Sequence, residues 1–244
     1  MKIGYMNTFT HDLLPQTELK REQIDGRRFY ITPSGLRLPS VTTVLNDFYD
    51  KDFTSWERSI GKEKADAIRK KALSRGSRFH SICERYLLNE DNCTQGTMPD
   101  VMEDFVNTKP ILDKYVNTIY GVELRVFSEK LMMAGTTDLV CEWGNTKSII
   151  DFKTARKEKK EEWIEDYFLQ KTIYALIITE KYEIDIPQIV TIMVVSGERP
   201  KLFVKKVEDY KEKVNEVSNF VRTFPAYAIG AKHTSSRGTR AAKV

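Results

Sequence analysis

The sequence predicts an α/β fold, a mixed central sheet flanked by helices, with a helical cap at its amino-terminal side. Three observations point there. Apolar residues in the first half recur at helical spacing, as in Phe79, Ile82, Cys83, Tyr86 and Leu87. After residue 120 the pattern shifts to three successive strand-like runs. A helix, two more strand-like runs and a last helix follow, an order that belongs to α/β or α+β chains.

Residues 28–32 and 36–38 are the arms of a hairpin, closed by Pro33-Ser34-Gly35, which supply a fixed φ and a free one. Ser40 is placed to cap a short helix over 41–47. Thr54-Ser55-Trp56-Glu57 has capping-box spacing and opens a second helix. A third spans 63–88, where Gly76 predicts a break or kink. Residues 91–99 are a loop. Residues 99–116 are helical, with Pro110 marking a second start. Strands follow at 122–128, 132–142 and 147–152, the last two joined by Trp143-Gly144-Asn145-Thr146. One amphipathic helix covers 161–181. Strands at 189–196 and 202–207 meet across Gly197-Glu198-Arg199-Pro200, and a helix covers 209–224. The organisation expected is a hairpin and helical cap over 1–120, a core over 121–225 and a basic tail over 226–244.

The chain has 244 residues, 41% hydrophobic and 30% charged, as in an ordinary globular enzyme with a real core. No run approaches the roughly 20 apolar residues of a membrane span, so no membrane partner is expected. Residues 1–14 have the character of neither a secretory signal nor a transit peptide, and a cytoplasmic setting is expected. Cys83, Cys93 and Cys141 are odd in number and form no CxxC, which favours reduced thiols. The net charge is +4. Lys232, Arg237, Arg240 and Lys243 lie in a tail without acidic residues, and the rest of the chain holds 35 basic against 35 acidic. Such a tail is either a phosphate-binding arm or a solvated end.

The chemistry concentrates in two runs, Gly135-Thr136-Thr137-Asp138-Leu139-Val140 and Ile149-Ile150-Asp151-Phe152-Lys153-Thr154. Asp138 lies in one strand and Asp151 at the end of its hairpin partner. Asp151 and Lys153 are two apart, so their side chains share a face. An isolated DxK is more often a surface ion pair. Here Ile149-Ile150 marks a buried strand, which sets the charged end against the core. Two carboxylates and an ammonium converging there suit metal-assisted phosphodiester hydrolysis, with Mg²⁺ on the carboxylates. Lys153 would orient water or stabilise developing charge.

These runs resemble the PD-(D/E)xK nuclease superfamily, in its RecB-type exonuclease branch. Asp138 matches the upstream acid, Ile150-Asp151-Phe152-Lys153-Thr154 the signature strand and Gln170-Lys171-Thr172-Ile173-Tyr174 the following Q-x-x-x-Y helix. Arg75-Gly76-Ser77-Arg78-Phe79-His80 matches an earlier R-G-x-x-x-H segment, and the run 38–45 resembles the amino-terminal region. The likeness spans about residues 28–180, with four motifs in order.

The resemblance implies a restriction-endonuclease-like core and a metal-dependent DNA exonuclease. Its substrate would be single-stranded or end-containing DNA, in phage or bacterial processing or recombination. Asp138, Asp151 and Lys153 would be catalytic. His80, Asp138, Asp151 and the Phe152 carbonyl would bind Mg²⁺, with Mn²⁺ as the alternative. Glu84, Gln170, Tyr174 and Glu123 would support the site, and Arg75, Arg78 and Thr154 would contact DNA. Lys70 and Lys71, and the cluster Arg156, Lys157, Lys159 and Lys160, are further backbone-binding candidates. Tyr49, Phe53 and Trp56 are candidates for base stacking. Some relatives carry an iron–sulfur cluster on four cysteines; three are present here, so none is expected. No phosphate-binding G-x-x-x-x-G-K-[ST] occurs, so a helicase or recombination partner would be a separate chain. The alternatives are a structure-specific endonuclease on the same scaffold and a non-catalytic DNA-binding subunit.

Overall fold

The computed structural model describes residues 7–51 and 54–227. Its first strand, β1 (Thr10–His11), was not expected from the sequence; two residues carry no alternation to detect. Next comes a three-stranded antiparallel sheet of β2 (Lys20–Ile24), β3 (Arg27–Ile31) and β4 (Arg37–Pro39). The expected hairpin is thus the inner part of a larger sheet. β2 escaped notice because four of its five residues are polar and none is fully buried.

Helix α1 (Val41–Phe48) starts where Ser40 Oγ accepts the Thr43 N–H at 3.1 Å, the expected cap. Helices α2 (Thr54–Ile60), α3 (Lys62–Leu87) and α4 (Pro99–Tyr115) follow. α3 runs unbroken through Gly76, contrary to the expected kink. A Cβ at residue 76 would stand 3.3 Å from Thr154 Oγ1, so glycine serves close approach of helix to sheet. α4 likewise continues through Pro110 instead of restarting. The lost backbone bond is offset by burial of Val101, Phe105, Thr108 and Leu112 on its inner face.

The main sheet is completed by β5 (Val116–Ser128), β6 (Met133–Trp143), β7 (Thr146–Ala155), β8 (Gln188–Val195) and β9 (Lys201–Lys206). Its order is β1-β5-β6-β7-β8-β9. β5, β6 and β7 form an antiparallel meander, β8 runs parallel to β7, and β9 is antiparallel to β8. The parallel step needs a crossover, which α5 (Glu165–Tyr182) supplies. α6 (Lys211–Thr223) closes the described chain. This is the expected mixed sheet flanked by helices.

Helices cover both faces. Phe79, Ile82, Phe105 and Leu112 of α3 and α4 pack with Leu139, Ile150, Phe152 and Ile192. On the other face, Val44, Phe168, Ile173, Ile177 and Val217 of α1, α5 and α6 pack with Val140, Ile149 and Ile189. β5 begins at Val116, within the stretch read as the cap, and α3 and α4 share a core with the sheet. α5 is not amphipathic: every residue from Phe168 to Ala175 is buried, because β7 and β8 lie beneath it and α1 and α6 beside it. Apart from Ala226 and Tyr227, the basic tail lies outside the described residues. No described helix is long and apolar enough to cross a membrane.

Candidate functional site

The site is made where two strands part. β6 and β7 pair from Trp143–Thr146 as far as Leu139–Ile150. Beyond that point β6 stays with β5 down to Met133, and β7 stays with β8 out to Ala155. A fork opens between them. At its vertex Asp138 Oδ2 accepts the Phe152 N–H at 2.8 Å, taking the place of a ladder carbonyl. The buried amide is thereby satisfied, and the carboxylate is fixed by the backbone it serves.

Asp151 and Lys153 leave β7 on the α5 side, the face shared with Ile149. Lys153 Nζ donates to Asp151 Oδ1 at 2.8 Å and to Gln170 Oε1 at 3.1 Å. Gln170 Nε2 in turn donates to Thr42 Oγ1 at 2.9 Å, so α1 and α5 together orient the lysine. The ion pair is no solvated surface bridge: the Asp151 and Lys153 side chains are 8% and 23% exposed.

His80 reaches the fork from α3. Its Nε2 lies 2.8 Å from the Phe152 carbonyl oxygen and its Nδ1 3.4 Å from Asp138 Oδ2. Glu123 comes from β5. The pairs Val122–Leu139 and Leu124–Thr137 set it opposite Asp138, and its left-handed φ of 47° marks a strained turn of the strand there. His80, Glu123 and Asp138 each offer a ligand atom, and these lie within 4.8 Å of one another. Asp151 is not one of the three. Its Oδ1 holds Lys153, while its buried Oδ2 has no hydrogen-bond partner.

That donor set fits a divalent cation. Two carboxylates and an imidazole converge, a backbone carbonyl stands beside them, and a buried carboxylate oxygen lacks a partner. Oxygen donors suit Mg²⁺, and the imidazole makes Mn²⁺ an equally natural occupant.

The electrostatics show the strain of packing these charges. Burial pushes the Glu123 carboxyl up, and the neighbouring Asp138 adds to it, to about 7. Burial also opposes ionisation of Asp138, but His80, Lys153 and the Phe152 amide outweigh it and hold that carboxyl below its usual range. For His80 burial acts downward, yet the Asp138 carboxylate lifts the imidazole to about 9. Burial lowers Lys153 as well, but Asp151 and Asp138 more than offset this, so it stays an ammonium.

The other predicted residues divide. Tyr174 is buried on α5, one turn after Gln170, and lies against Gly135 of β6. A Cβ at residue 135 would stand 2.5 Å from the Tyr174 hydroxyl and 2.7 Å from its ring. Gly135→Ala is therefore expected to cost about 1–3 kcal/mol, as overpacking of a rigid contact does. Chemical denaturation checks this; an unchanged midpoint would remove Tyr174 as the reason for the glycine. Thr154 and the Phe152 backbone line the cleft. Glu84 makes no hydrogen bond to His80 among the described residues, but it is near enough to Glu123 to help raise that carboxyl. Arg78 is half exposed, with Asp100 3.8 Å away.

Arg75 departs from expectation. Its guanidinium donates to buried Asp104 at 2.9 Å and to the Ala155 carbonyl at 3.1 Å, joining α3, α4 and β7. These contacts commit it to structure. Lys159 and Lys160 are drawn onto Tyr167 and Trp163. Tyr49 donates to Glu165 at 2.9 Å and packs on Phe48, which withdraws it from base stacking. Trp56 lies under Arg69, and Phe53 falls outside the described residues.

Lys171 was missed. It is fully buried, donates to the Tyr167 carbonyl at 2.6 Å and stands 3.8 Å from Asp151 Oδ2. Burial brings it down to about 8. The one available signal was a lysine in an otherwise apolar helix beside Gln170. The cleft around these groups holds about 590 Å³. Its walls are α3 on one side and the three-stranded sheet on the other, with the carboxylates at its floor.

No family model matches the chain, and no curated protein does. Among solved structures, the chain is similar to a candidate exonuclease from Eubacterium rectale at 11% identity and a TM-score of 0.38, covering 61% of this chain and 67% of that one. So distant a likeness leaves the side chains of the fork to speak for function.

Proposed function

We propose that this chain is a metal-dependent deoxyribonuclease of PD-(D/E)xK type, acting as an exonuclease on single-stranded or end-containing DNA. One observation carries the proposal. Asp138, Asp151, Lys153, Glu123 and His80 line a single cleft at the parting of β6 and β7. Burying so many ionisable groups together is costly unless they serve a bound ligand, and converging carboxylates with an imidazole suit a divalent cation.

In this proposal Asp138, Asp151, Glu123, His80 and the Phe152 carbonyl hold Mg²⁺ or Mn²⁺. Such an ion, when bound, polarises the phosphate and lowers the pKa of a coordinated water. The chain's own residues do the rest. The Lys153 ammonium, held by Gln170 and Asp151, stands ready to donate to a phosphate oxygen or the attacking water. Asp138 keeps β6 fixed to β7 through the Phe152 amide, so the floor does not move as charge develops. The Tyr174–Gly135 contact sets the distance of α5 from β6, and with it the height of Gln170. Action in phage or bacterial cytoplasm, during DNA processing or recombination beside a separate helicase, belongs to the same proposal.

The test uses end-labelled linear and covalently closed single-stranded DNA, with Mg²⁺ or with EDTA. Linear DNA should be degraded and circles spared, and only with metal. Cutting of circles would make the protein an endonuclease. Binding without cutting of either would make it a DNA-binding subunit.

A further inference from the structure

The wall of the cleft facing α3 carries two arginines outside every motif discussed above. Arg21 on β2 and Arg28 on β3 both line the cleft and both are exposed. The register pairs Arg21 with Tyr30 and Gln23 with Arg28, which puts both guanidinium stems on one face of the small sheet. Among the described residues neither has a carboxylate partner, whereas Arg27 beside them is tied to Asp47 at 2.8 Å. Two unpaired like charges on one sheet face repel each other and gain nothing for the fold. Their natural complement is an anion in the cleft.

The wall is rigidly tied to the fork. The Ser40 N–H donates to the Arg28 carbonyl at 2.8 Å, and Ser40 bridges Ala134 of β6, four residues before Asp138. Thr43 Oγ1 accepts the Arg28 N–H at 3.2 Å, and Thr42 next to it accepts from Gln170. The arginines thus sit at a fixed offset from the groups that hold Lys153. Opposite them, on α3, Leu73 lines the cleft with 75% of its surface exposed. An apolar side chain so exposed within a polar cleft matches the face of an unpaired base.

We propose that Arg21 and Arg28 grip backbone phosphates of a single DNA strand next to the scissile one, while Leu73 bears on a base from the facing wall. This rests on the nuclease assignment for its substrate, but it is read without cleavage. Arginine suits the task, since its planar fork matches two phosphate oxygens at once. Two phosphate contacts on single-stranded DNA release counterions to the extent of about 0.7 each in the salt slope.

The experiment measures binding of a fluorescein-labelled oligothymidylate by anisotropy, in EDTA, across a range of NaCl. R21Q/R28Q should weaken binding at least about tenfold near 0.1 M salt and flatten the log–log slope by about 1.4. The control R199Q/K206Q removes equal charge from exposed positions outside the cleft and should change the slope far less. Leu73→Ser should weaken binding with the slope intact, because the contact it removes carries no charge. In parallel, hydrolysis of thymidine 5′-(p-nitrophenyl phosphate), which has no neighbouring phosphates, should proceed equally in wild type and R21Q/R28Q. A slope equal to wild type, or a change matched by the control, overturns the proposal. Equal loss of the small-substrate reaction would also overturn it, showing that the arginines serve the site and not the strand. A wild type that cleaves nothing would remove the nuclease assignment while leaving the slope to decide the arginines.

Discussion

Replacing Lys153 with alanine is expected to lower the cleavage rate by about a thousandfold and leave DNA affinity within a few-fold of wild type. The size follows from where the ammonium sits. Among the described residues it is the only lysine that lines the cleft, beside the carboxylates at its floor. Two of its three protons go to Asp151 and Gln170, and a third remains. It is held charged by Asp151 and Asp138 despite its burial. Arginine could not take its place without moving Gln170, so Lys153→Arg should be nearly as inactive. Asp151→Asn should match it, because the amide keeps the shape but loses the negative charge that would hold a divalent ion and that keeps Lys153 charged. Binding should survive in both, since phosphate contacts elsewhere in the cleft are untouched. A purely structural ion pair predicts otherwise: cleavage would track the folded fraction, and lowering the temperature would restore it. Single-turnover rates and thermal melts on the same samples separate the two, and a Lys153→Ala rate within tenfold of wild type would refute the mechanism.

Much of this site was legible in the sequence, for reasons that can be named. Asp151 and Lys153 fall on a strand whose Ile149-Ile150 start announces burial, and alternation then fixes their common face. Gln170 came from the resemblance of Gln170-Lys171-Thr172-Ile173-Tyr174 to the Q-x-x-x-Y helix, and helical spacing added only that it shares a face with Tyr174. What escaped depends on tertiary contact. Glu123 was named only as a supporting residue; its place opposite Asp138 as a ligand candidate comes from the register of β5 on β6 and from a left-handed backbone turn, neither visible in its neighbours. Arg75 looked like a phosphate ligand beside Arg78 and His80, and only the fold brings Asp104 against it from another helix. Gly76 looked like a helix breaker, because propensity counts what glycine lacks and not what comes close to it. Lys171 is hidden by its helix, which is buried on all sides instead of one. The strand β2, with its polar residues, gave no apolar period, and the arginine wall went unseen with it.

Withdrawing divalent metal should abolish cleavage and also make the stability of the protein fall as pH rises from about 5 to 9. The sign comes from two groups. Glu123, raised to about 7, binds its proton more tightly in the folded protein than in the unfolded chain, so it costs stability increasingly as pH climbs from its ordinary value through 7. His80, raised to about 9, contributes stability that is fully present below its ordinary value and is lost as pH rises through 9. Both slopes run downward over this window. The lowered Asp138 acts only in acid, below its ordinary value, and does not offset them. A divalent ion at the fork is expected to reverse the trend. It binds the ionised carboxylate and the neutral imidazole, so its affinity grows over the same pH range in which the metal-free protein weakens. At about a hundred times its dissociation constant it adds about 2.7 kcal/mol, which is roughly 5–10 °C in a chain of this size. Calcium, which seldom supports phosphodiester hydrolysis at magnesium sites, suits the melts if DNA is present; Mg²⁺ and Mn²⁺ suit them without it. Glu123→Gln should remove part of the pH slope in EDTA and raise the metal-free melting temperature at pH 8, because an amide beside Asp138 has no charge to repel. The same variant should shrink the shift on adding metal. A metal-induced shift that is identical at pH 6 and pH 8.5, or unaffected by Glu123→Gln, would mean that the ion binds somewhere other than the fork between β6 and β7.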